Sequence, residues 1–231
     1  MTHLERELDK LKRKILALGA LVEDNLRIAF QAIEQRDRDK ARKVIVGDFE
    51  IDQQEVEVEE ECLKLLALYQ PVAGDLRFLV AVIKINSELE RIGDLASNIG
   101  ERAMALIDEH PIPVPPGFAV MSDRTGSILE KVLDALVRQD VHAAREVLAA
   151  DDEIDMLYQG LIEDLKHIIR TDPDHLDAIV LMFSVARYLE RLADHATNIA
   201  EDVIYMVDGE IRRHQVPDTP AGLFHTEGPR R

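Results

Sequence analysis

The sequence predicts an all-α protein made of two pseudo-symmetric antiparallel three-helix bundles, with six long helices in total. Three observations support this prediction. Apolar residues recur at helical spacing over long stretches. Only 4% of the 231 residues are aromatic and none is Trp, which is typical of helical proteins rich in Ala, Leu and charged residues. The second half of the chain also repeats the pattern of the first half.

The first half of the chain contains three predicted helices. The first spans residues 4–36, where apolar residues recur every three or four positions. Asp37 is a candidate N-cap for a second helix that runs to about Tyr69. Pro71 ends the second helix, because the residue before a proline is disfavoured in the α region. The third helix is predicted for residues 72–108.

The second half repeats this organisation after a linker. Four prolines within residues 110–117 predict a stiff, non-helical connection. Helices are then predicted for residues 118–138 and 141–170, and for a sixth segment that is capped by residues 171–174 and runs to about residue 214. The predicted domains are therefore a first repeat (1–109), a linker (110–117), a second repeat (118–214) and a disordered tail (215–231).

The duplication is clearest in residues 88–101, which recur as residues 188–201. At an offset of 100, identical residues occur at several positions, including Leu89/Leu189, Glu90/Glu190, Arg91/Arg191, Asp94/Asp194 and Asn98/Asn198. Upstream the offset is 103, as in Asp48/Asp151 and Asp52/Asp155. The change in offset places a three-residue length difference near the turn between the second and third helices of each repeat, where insertions are tolerated.

Each repeat contains two carboxylate pairs at positions i and i+4. In the first repeat the pairs centre on Pro71, since Asp52 and Glu90, like Asp48 and Asp94, are equidistant from it. Residues equidistant from the turn of a helical hairpin lie at the same height, because both helices rise about 1.5 Å per residue. The second repeat has the same arrangement about the turn at Pro173, with the pairs Asp151/Asp155 and Glu190/Asp194.

Four carboxylates at one level require compensation if they face one another, because uncompensated like charges raise pKa values or destabilise the fold. Hard cations such as Mg²⁺, Mn²⁺ or iron are the natural partners. The alternative is that these are solvated helix faces, neutralised by Arg91, Arg191 and nearby lysines. Helix rotation decides between the two, and the sequence does not determine it.

Composition excludes several classes of function. A net charge of -17 argues against nucleic acid or an anionic membrane as the main partner. The single cysteine, Cys62, excludes an intramolecular disulfide framework and is expected to be a small buried residue. No segment has 18 uncharged apolar residues and no signal-peptide pattern is present. We therefore expect a cytoplasmic protein that does not insert into a membrane.

Oxygen chemistry of the ferritin-like type is also disfavoured. Those bundles use Glu-x-x-His motifs, and this chain contains none. His195 points about 100° away from the carboxylate stripe on its helix, so we expect it at the surface or between helices. No Gly-rich phosphate loop, nucleophile elbow or zinc-type ligand spacing is present.

Over residues 5–214 the sequence resembles the PhoU family of phosphate transport system accessory proteins. The resemblance rests on both motif copies, on the turn Gln70-Pro71-Val-Ala-Gly-Asp-Leu-Arg77 and on the order of the helices. It implies multinuclear metal clusters, of iron or zinc or alternatively of Mg or Mn, on Asp/Glu-x-x-x-Asp motifs. The metal ligands that it implies are Asp48, Asp52, Glu90, Asp94, Asp151, Asp155, Glu190 and Asp194.

The resemblance further implies a non-enzymatic regulator that damps phosphate uptake and the phosphate-starvation response. Its expected partners are the ATP-binding subunit of the phosphate importer, a phosphate-sensing histidine kinase and a second copy in a homodimer. Two alternatives stay open: a metal-dependent hydrolase or oxidase in the same bundle, and a purely structural dimerising bundle. The repeats need not be equivalent, because Glu55 extends the first acidic stripe where Tyr158 stands in the second.

Overall fold

The computed structural model describes residues 2–109, 111–112 and 114–209, and all regular secondary structure within them is helical. The helices are α1 (His3–Glu34), α2 (Arg38–Tyr69), α3 (Ala73–Asp108), α4 (Pro116–Arg138), α5 (Val141–Ala149), α6 (Asp151–Thr171) and α7 (Leu176–Asp208), with a 3₁₀ turn at Pro173–His175. Helices α1–α3 form the first bundle and α4–α7 form the second. The predicted all-α fold of two repeated bundles is confirmed.

Side-chain caps begin the corresponding helices of both repeats. Asp37 accepts hydrogen bonds from the backbone N–H groups of Asp39 (3.0 Å) and Lys40 (3.1 Å) at the start of α2. Asp140, 103 residues later, accepts from His142 (2.9 Å) and Ala143 in the same way at the start of α5. These bonds satisfy backbone donors that the first helical turn leaves free. The predicted N-cap at Asp37 is confirmed.

The predicted fifth helix, residues 141–170, is interrupted. Helix α5 ends at Ala149 and α6 begins at Asp151, with Ala150 donating its backbone N–H to the carbonyl of Val147 only three residues back. Three consecutive acidic residues, Asp151, Asp152 and Glu153, lie in the first turn of α6. Negative charge is favoured at a helix N-terminus by the helix dipole, which is a physical reason for a new helix to start there.

Two predicted boundaries also differ at the ends of the second repeat. Helix α4 begins at Pro116, since proline is tolerated in a first helical turn, and not at residue 118. The last helix begins at Leu176 without a side-chain cap and ends at Asp208, where Gly209 has a positive φ of 78°. His110, Pro113 and residues 210–231, which include the predicted tail and the end of the predicted sixth helix, lie outside the described residues.

Helices α3 and α7 pack against each other and join the two bundles. Their buried apolar residues occupy repeated positions, and all are fully buried: Leu89, Ile92 and Ile99 in α3, and Leu189, Leu192 and Ile199 in α7. Helices α1 and α4 make a second contact between the bundles. The four helices therefore form one continuous apolar core at the junction of the repeats.

Polar side chains cross this junction at two points. The buried carboxylate of Glu88 hydrogen-bonds Nδ1 of His195 (2.8 Å) and accepts a hydrogen bond from Nδ2 of Asn198 (3.1 Å). Lys84 pairs with the buried Asp202 at 3.2 Å and lies 4.8 Å from the ring centroid of Tyr205. His195 was expected at the surface or between helices, and the structure places it between α3 and α7.

Two further expectations can be compared with the fold. Cys62 is fully buried, as predicted, and burial raises the pKa of its thiol to about 12. Within the described ranges no helix has a stretch that is both long and apolar enough to cross a membrane.

Candidate metal centre

The α2–α3 hairpin brings three of the predicted ligands together. Asp48 and Asp52 lie one turn apart on α2 and Asp94 lies on α3, and each contributes a carboxylate oxygen to a group whose members are all within 4.8 Å of one another. Asp48 is half-buried, while Asp52 and Asp94 are exposed. We call these three residues the first cluster. The structure places them where equal distances from Pro71 predict, and their role as metal ligands stays a prediction.

Glu90, the fourth predicted ligand of this repeat, is within electrostatic reach of the first cluster. Its pKa is raised by burial first, and then by the charges of Asp94, Asp52 and Glu55. Glu55 is held in place because Asn86 donates its side-chain N–H to the Glu55 backbone carbonyl (2.9 Å) and to Oε1 (3.0 Å). The acidic surface therefore extends along α2 beyond the first cluster.

Among these carboxylates, Asp48 has the pKa that is raised most. Burial, followed by repulsion from Asp52 and Asp94, raises the pKa of Asp48 to about 6 from an ordinary value of 3.8, although a side-chain hydrogen bond with Ser97 opposes the rise. Oδ1 of Asp48 is shielded from solvent and has no hydrogen-bond partner among the described residues. An acceptor atom in this state is costly unless a proton or a cation meets it.

Neutralisation of these carboxylates by Arg91, the alternative to a bound cation, receives little support in the first repeat. Arg91, the basic residue nearest in sequence, forms its ion pair with Glu88 at 3.6 Å. Arg91 lowers the pKa of Glu90, but burial and three neighbouring carboxylates each have a larger effect and raise it. The first cluster thus lies beside an arginine whose charge is directed mainly at a different carboxylate.

A glycine allows α2 and α3 to approach closely at the first cluster. A Cβ added to Gly93 would lie 2.9 Å from Cγ2 of Ile51 and 3.6 Å from Oδ1 of Asp48. Two turns along α3, a Cβ on Gly100 would lie 3.2 Å from the backbone carbonyl oxygen of Ala41. The absence of side chains at both positions brings the carboxylates of the two helices within reach of one ion.

The second repeat gathers its four predicted residues less tightly. Burial is the main reason that the pKa of Asp151 is raised, with Asp194 and Asp155 adding to the rise. Burial also raises the pKa of Asp194 most, followed by Glu190 and then Asp155. The pKa of Glu190 is raised by burial first, then by Asp155 and more weakly by Asp151, while Arg187 and Arg191 lower it. We call Asp151, Asp155, Glu190 and Asp194 the second cluster. In the described part of the chain, no three of its oxygens approach within the distance found in the first cluster.

The donor set of the first cluster fits a divalent or trivalent cation. Its groups are carboxylate oxygens without His or Cys, a set that suits Mg²⁺, Mn²⁺ and iron and that zinc also accepts. The shielded Oδ1 of Asp48 and the raised pKa values are the signs expected where positive charge is missing. Asp48, Asp52 and Asp94 would hold the ion, with Glu90 beside them.

Ser97 is the neighbour that sequence reasoning missed. It lies three residues after Asp94, on the next turn of α3, and its hydroxyl lowers the pKa of Asp48 across the hairpin. A hydroxyl at i+3 from a candidate ligand is a weak signal, because serine also bonds to its own helix backbone. Glu101, another turn along α3, also raises the pKa of Asp48.

Comparison with known proteins agrees with this architecture. The family model of the PhoU domain matches residues 15–103 and again residues 118–203. The phosphate-specific transport system accessory protein PhoU of Escherichia coli is 32% identical over 208 residues, covering 90% of this chain and 86% of that protein. The PhoU homolog of Aquifex aeolicus is 38% identical over 212 residues, covering 92% and 96%.

Solved structures show the same fold. The crystal structure of PhoU from Pseudomonas aeruginosa matches with a TM-score of 0.84 and 34% identity, covering 90% of this chain and 100% of that one. The phosphate transport system regulatory protein PhoU from Streptococcus pneumoniae matches with a TM-score of 0.84 and 27% identity. Two domain matches, relatives above 30% identity over most of their length and a shared fold lead to one conclusion: the chain belongs to the PhoU family.

Proposed function

We propose that this protein is a non-enzymatic regulator of phosphate transport, which restrains phosphate uptake and the phosphate-starvation response when phosphate is plentiful. The supporting observation is that both repeats match the PhoU domain and that relatives over 90% of the chain are named accessory proteins of the phosphate-specific transport system. The finer proposal is a metal-binding adaptor in the cytoplasm, between the ATP-binding subunit of the importer and a phosphate-sensing histidine kinase.

The metal proposal rests on the first cluster. Three carboxylate oxygens within 4.8 Å of one another, one of them on a half-buried aspartate with a pKa of about 6, are expected to bind a cation that lowers their mutual repulsion. We propose iron or zinc, with Mg or Mn as alternatives, bound by up to eight ligands in the two repeats. A homodimer is proposed as the assembly.

A complementation experiment tests the regulatory role. In a bacterium that lacks its own member of this family, a phosphate-starvation reporter is expected to be active even in phosphate-rich medium. Expression of this protein should silence the reporter and lower the uptake of labelled phosphate. If an expressed, folded protein changes neither measurement in a host whose own family member does complement, the regulatory proposal is wrong.

The metal role needs a separate measurement. Elemental analysis of protein purified without chelator, with metal added back, is expected to show bound metal that decreases in a variant with Asp94→Asn and Asp194→Asn. The enzymatic alternative predicts that metal-loaded protein hydrolyses phosphate esters or consumes oxygen, and that this turnover is lost in the same variant. A purely structural bundle would leave both assays flat and would change only the mass measured by light scattering.

A further inference from the structure

The outer face of α2 exposes a row of large apolar side chains. Val46, Phe49, Val56 and Leu63 are 68%, 74%, 50% and 54% exposed. Phe49, Val56 and Leu63 follow one another at intervals of seven residues, which is two helical turns, so they form one stripe along the helix. We call these four residues the α2 seam. Apolar residues that recur along one face of a helix differ from the single ones that are normal on a surface.

The α2 seam is separate from the core and borders the first cluster. The buried residues of α2, which include Ile51, Val58 and Leu65, lie on the opposite side of the helix from Phe49 at about 100° per residue. By the same rule Asp48 projects about 100° away from Phe49, whereas Asp52 projects only about 40° from Val56 and about 20° from Leu63. The seam is therefore not part of the fold's own packing, and it lies beside the candidate metal site.

The second repeat shows that the fold does not need apolar residues there. At the offset of 103 the buried positions correspond, since Ile51, Val58 and Cys62 align with the buried residues Ile154, Leu161 and Leu165. At the same offset Phe49, Val56 and Leu63 align with the exposed residues Asp152, Gln159 and Lys166. Met156, which aligns with Gln53, is exposed on that helix, but it has no apolar neighbours that continue a stripe.

A cavity adjoins one end of the α2 seam. A space of about 670 Å³ lies between α1 and α2, and its lining includes Leu21, Ile28, Val46 and Phe49. A large side chain from a partner could enter beside Phe49 and bury its surface against these residues, as anchor residues do in helix-in-groove recognition. The seam thus combines an apolar stripe with a place for an anchor.

The charges beside the seam determine which partner fits. Most of the exposed charged residues along it are acidic, among them Glu50, Glu57 and Glu60, while Arg42 and Lys43 lie at the end that adjoins the cavity. Of the three glutamates, Glu57 is the one for which an ion pair is found among the described residues, with Lys14 at 3.2 Å. The chain as a whole has a net charge of -17. Two copies of this face placed together would bring acidic borders into contact, which is repulsive, whereas a basic border would be attracted.

We propose that the α2 seam is a docking surface for an amphipathic helix of a partner protein whose apolar stripe is bordered by Lys and Arg. The apolar stripe covers Val46, Phe49, Val56 and Leu63, and the basic border meets the glutamates. The seam borders the first cluster, because Asp52 projects about 40° from Val56 and about 20° from Leu63 around α2.

The test uses two synthetic peptides of about 21 residues, the length of three heptads. Both have leucine at the apolar heptad positions; one has lysine at the bordering positions and the other has glutamate. Binding to the full chain is measured by calorimetry at two salt concentrations. The key variant combines Phe49→Asp, Val56→Gln and Leu63→Lys, which transfers the residues of the second repeat to the seam and leaves the net charge unchanged.

The lysine peptide is expected to bind the wild-type protein, and the triple variant is expected to bind it at least tenfold more weakly with an unchanged thermal melt. A matched control, Val120→Gln with Val180→Gln, changes exposed apolar residues of α4 and α7 and should bind like wild type. The variant Glu50→Gln with Glu60→Gln should weaken binding of the lysine peptide and reduce its salt dependence.

Three results would overturn the proposal. The first is equal affinity of wild type and triple variant for the lysine peptide, which would mean that only overall charge attracts it. The second is binding of the glutamate peptide as tight as that of the lysine peptide. The third is a wild-type dimer that becomes a monomer in the triple variant by light scattering, since the seam would then be an interface between copies of this chain.

Discussion

The two carboxylate clusters use the same residue types at repeated positions, yet they differ in geometry. In the first cluster, Asp48 lies in the middle of the unbroken helix α2, and three oxygens lie within 4.8 Å of one another. In the second cluster, the counterpart Asp151 is the first residue of α6, immediately after a break. The comparison shows that repeated candidate ligands adopt equivalent geometry only where the backbones that hold them are also equivalent.

Residues next to the carboxylates explain part of the difference in geometry between the two clusters. Gly93 and Gly100, which let α3 approach α2, are replaced by Ala193 and Ala200 in the second repeat. The hydroxyl of Ser97 lowers the pKa of Asp48 across the hairpin, whereas its counterpart Thr197 donates its hydroxyl to the backbone carbonyl of Asp194 at 2.7 Å. The second repeat therefore carries methyl groups where the first has glycines, and its counterpart hydroxyl bonds to its own helix.

The largest expected effect is on metal binding by the separate clusters. Asp48→Asn with Asp94→Asn should lower affinity at the first cluster by about 100-fold or more, since loss of even an outer-shell partner can cost 10- to 100-fold. The matched variant, Asp151→Asn with Asp194→Asn, should remove only the weaker share of bound metal. Titration with Mn²⁺ followed by elemental analysis measures both, and equal losses would mean that the clusters are equivalent in solution.

Gly93→Ala should have the next largest effect, because its Cβ would lie 2.9 Å from Cγ2 of Ile51. Overpacking of this kind typically costs about 1–3 kcal/mol, and separation of α2 from α3 should also weaken metal binding at the first cluster. The reverse change, Ala193→Gly, should cost about 1 kcal/mol of helix stability and leave the first cluster intact. Urea unfolding and metal titration measure the two quantities, and a Gly93→Ala protein with unaltered metal affinity would contradict the proposed role of close approach.

A smaller effect concerns pH and the metal-free protein. The pKa of Asp48 is about 6 in the folded chain against an ordinary 3.8, so the folded state binds its proton more tightly than the unfolded state does. Its contribution to stability is fully present below about pH 4 and is lost as the pH rises through about 6. With chelator present, Tm should fall between pH 5 and pH 7 for this reason.

Variants isolate that contribution from the many other acidic residues. Asp48→Asn should flatten the dependence of Tm on pH, and Asp151→Asn should flatten it less, because the second cluster is more open. Saturating metal should reduce the slope of the wild type, since a cation replaces the proton. A wild type and an Asp48→Asn variant with parallel pH profiles would show that Asp48 titrates normally.

The smallest effect is expected for Ser97→Ala. Loss of the hydroxyl removes an interaction that lowers the pKa of Asp48, so that pKa should rise further above about 6. Thr197→Ala should leave the pKa of Asp151 unchanged, because Thr197 bonds its own backbone. Carboxyl chemical shifts measured by NMR over a pH series distinguish the two variants, and equal responses would remove Ser97 from the first cluster.

The sequence predicted the fold and the level of the carboxylates for definite reasons. Helical periodicity and the cap at Asp37 depend on local sequence, and equal distances from Pro71 fix heights because the helical rise is constant. Rotation of the helices about their axes depends on packing, so the convergence of Asp48, Asp52 and Asp94 required coordinates. The close approach at Gly93 depends on a contact with Ile51 that no local pattern specifies.

The break at Ala150 was missed for a different reason. The apolar period of residues 141–170 continues through the break, so periodicity indicates one helix, while the acidic run that starts at Asp151 indicates a new N-terminus. The periodicity and the acidic run predict different structures. The outcome depends on whether packing of the apolar face or the electrostatics of the acidic run stabilises its structure more. The inequality of the two clusters follows from that local decision.

The contact of Glu88 with His195 and Asn198 has a thermodynamic consequence for the whole molecule. Glu88 lies two residues before Glu90, and His195 adjoins Asp194, so this hydrogen-bonded contact, like the Lys84–Asp202 pair, links α3 to α7. We expect an ion that displaces α3 at the first cluster to act through these contacts on the second. By linkage, any factor by which one ion changed the affinity of the other site would apply equally in the reverse direction.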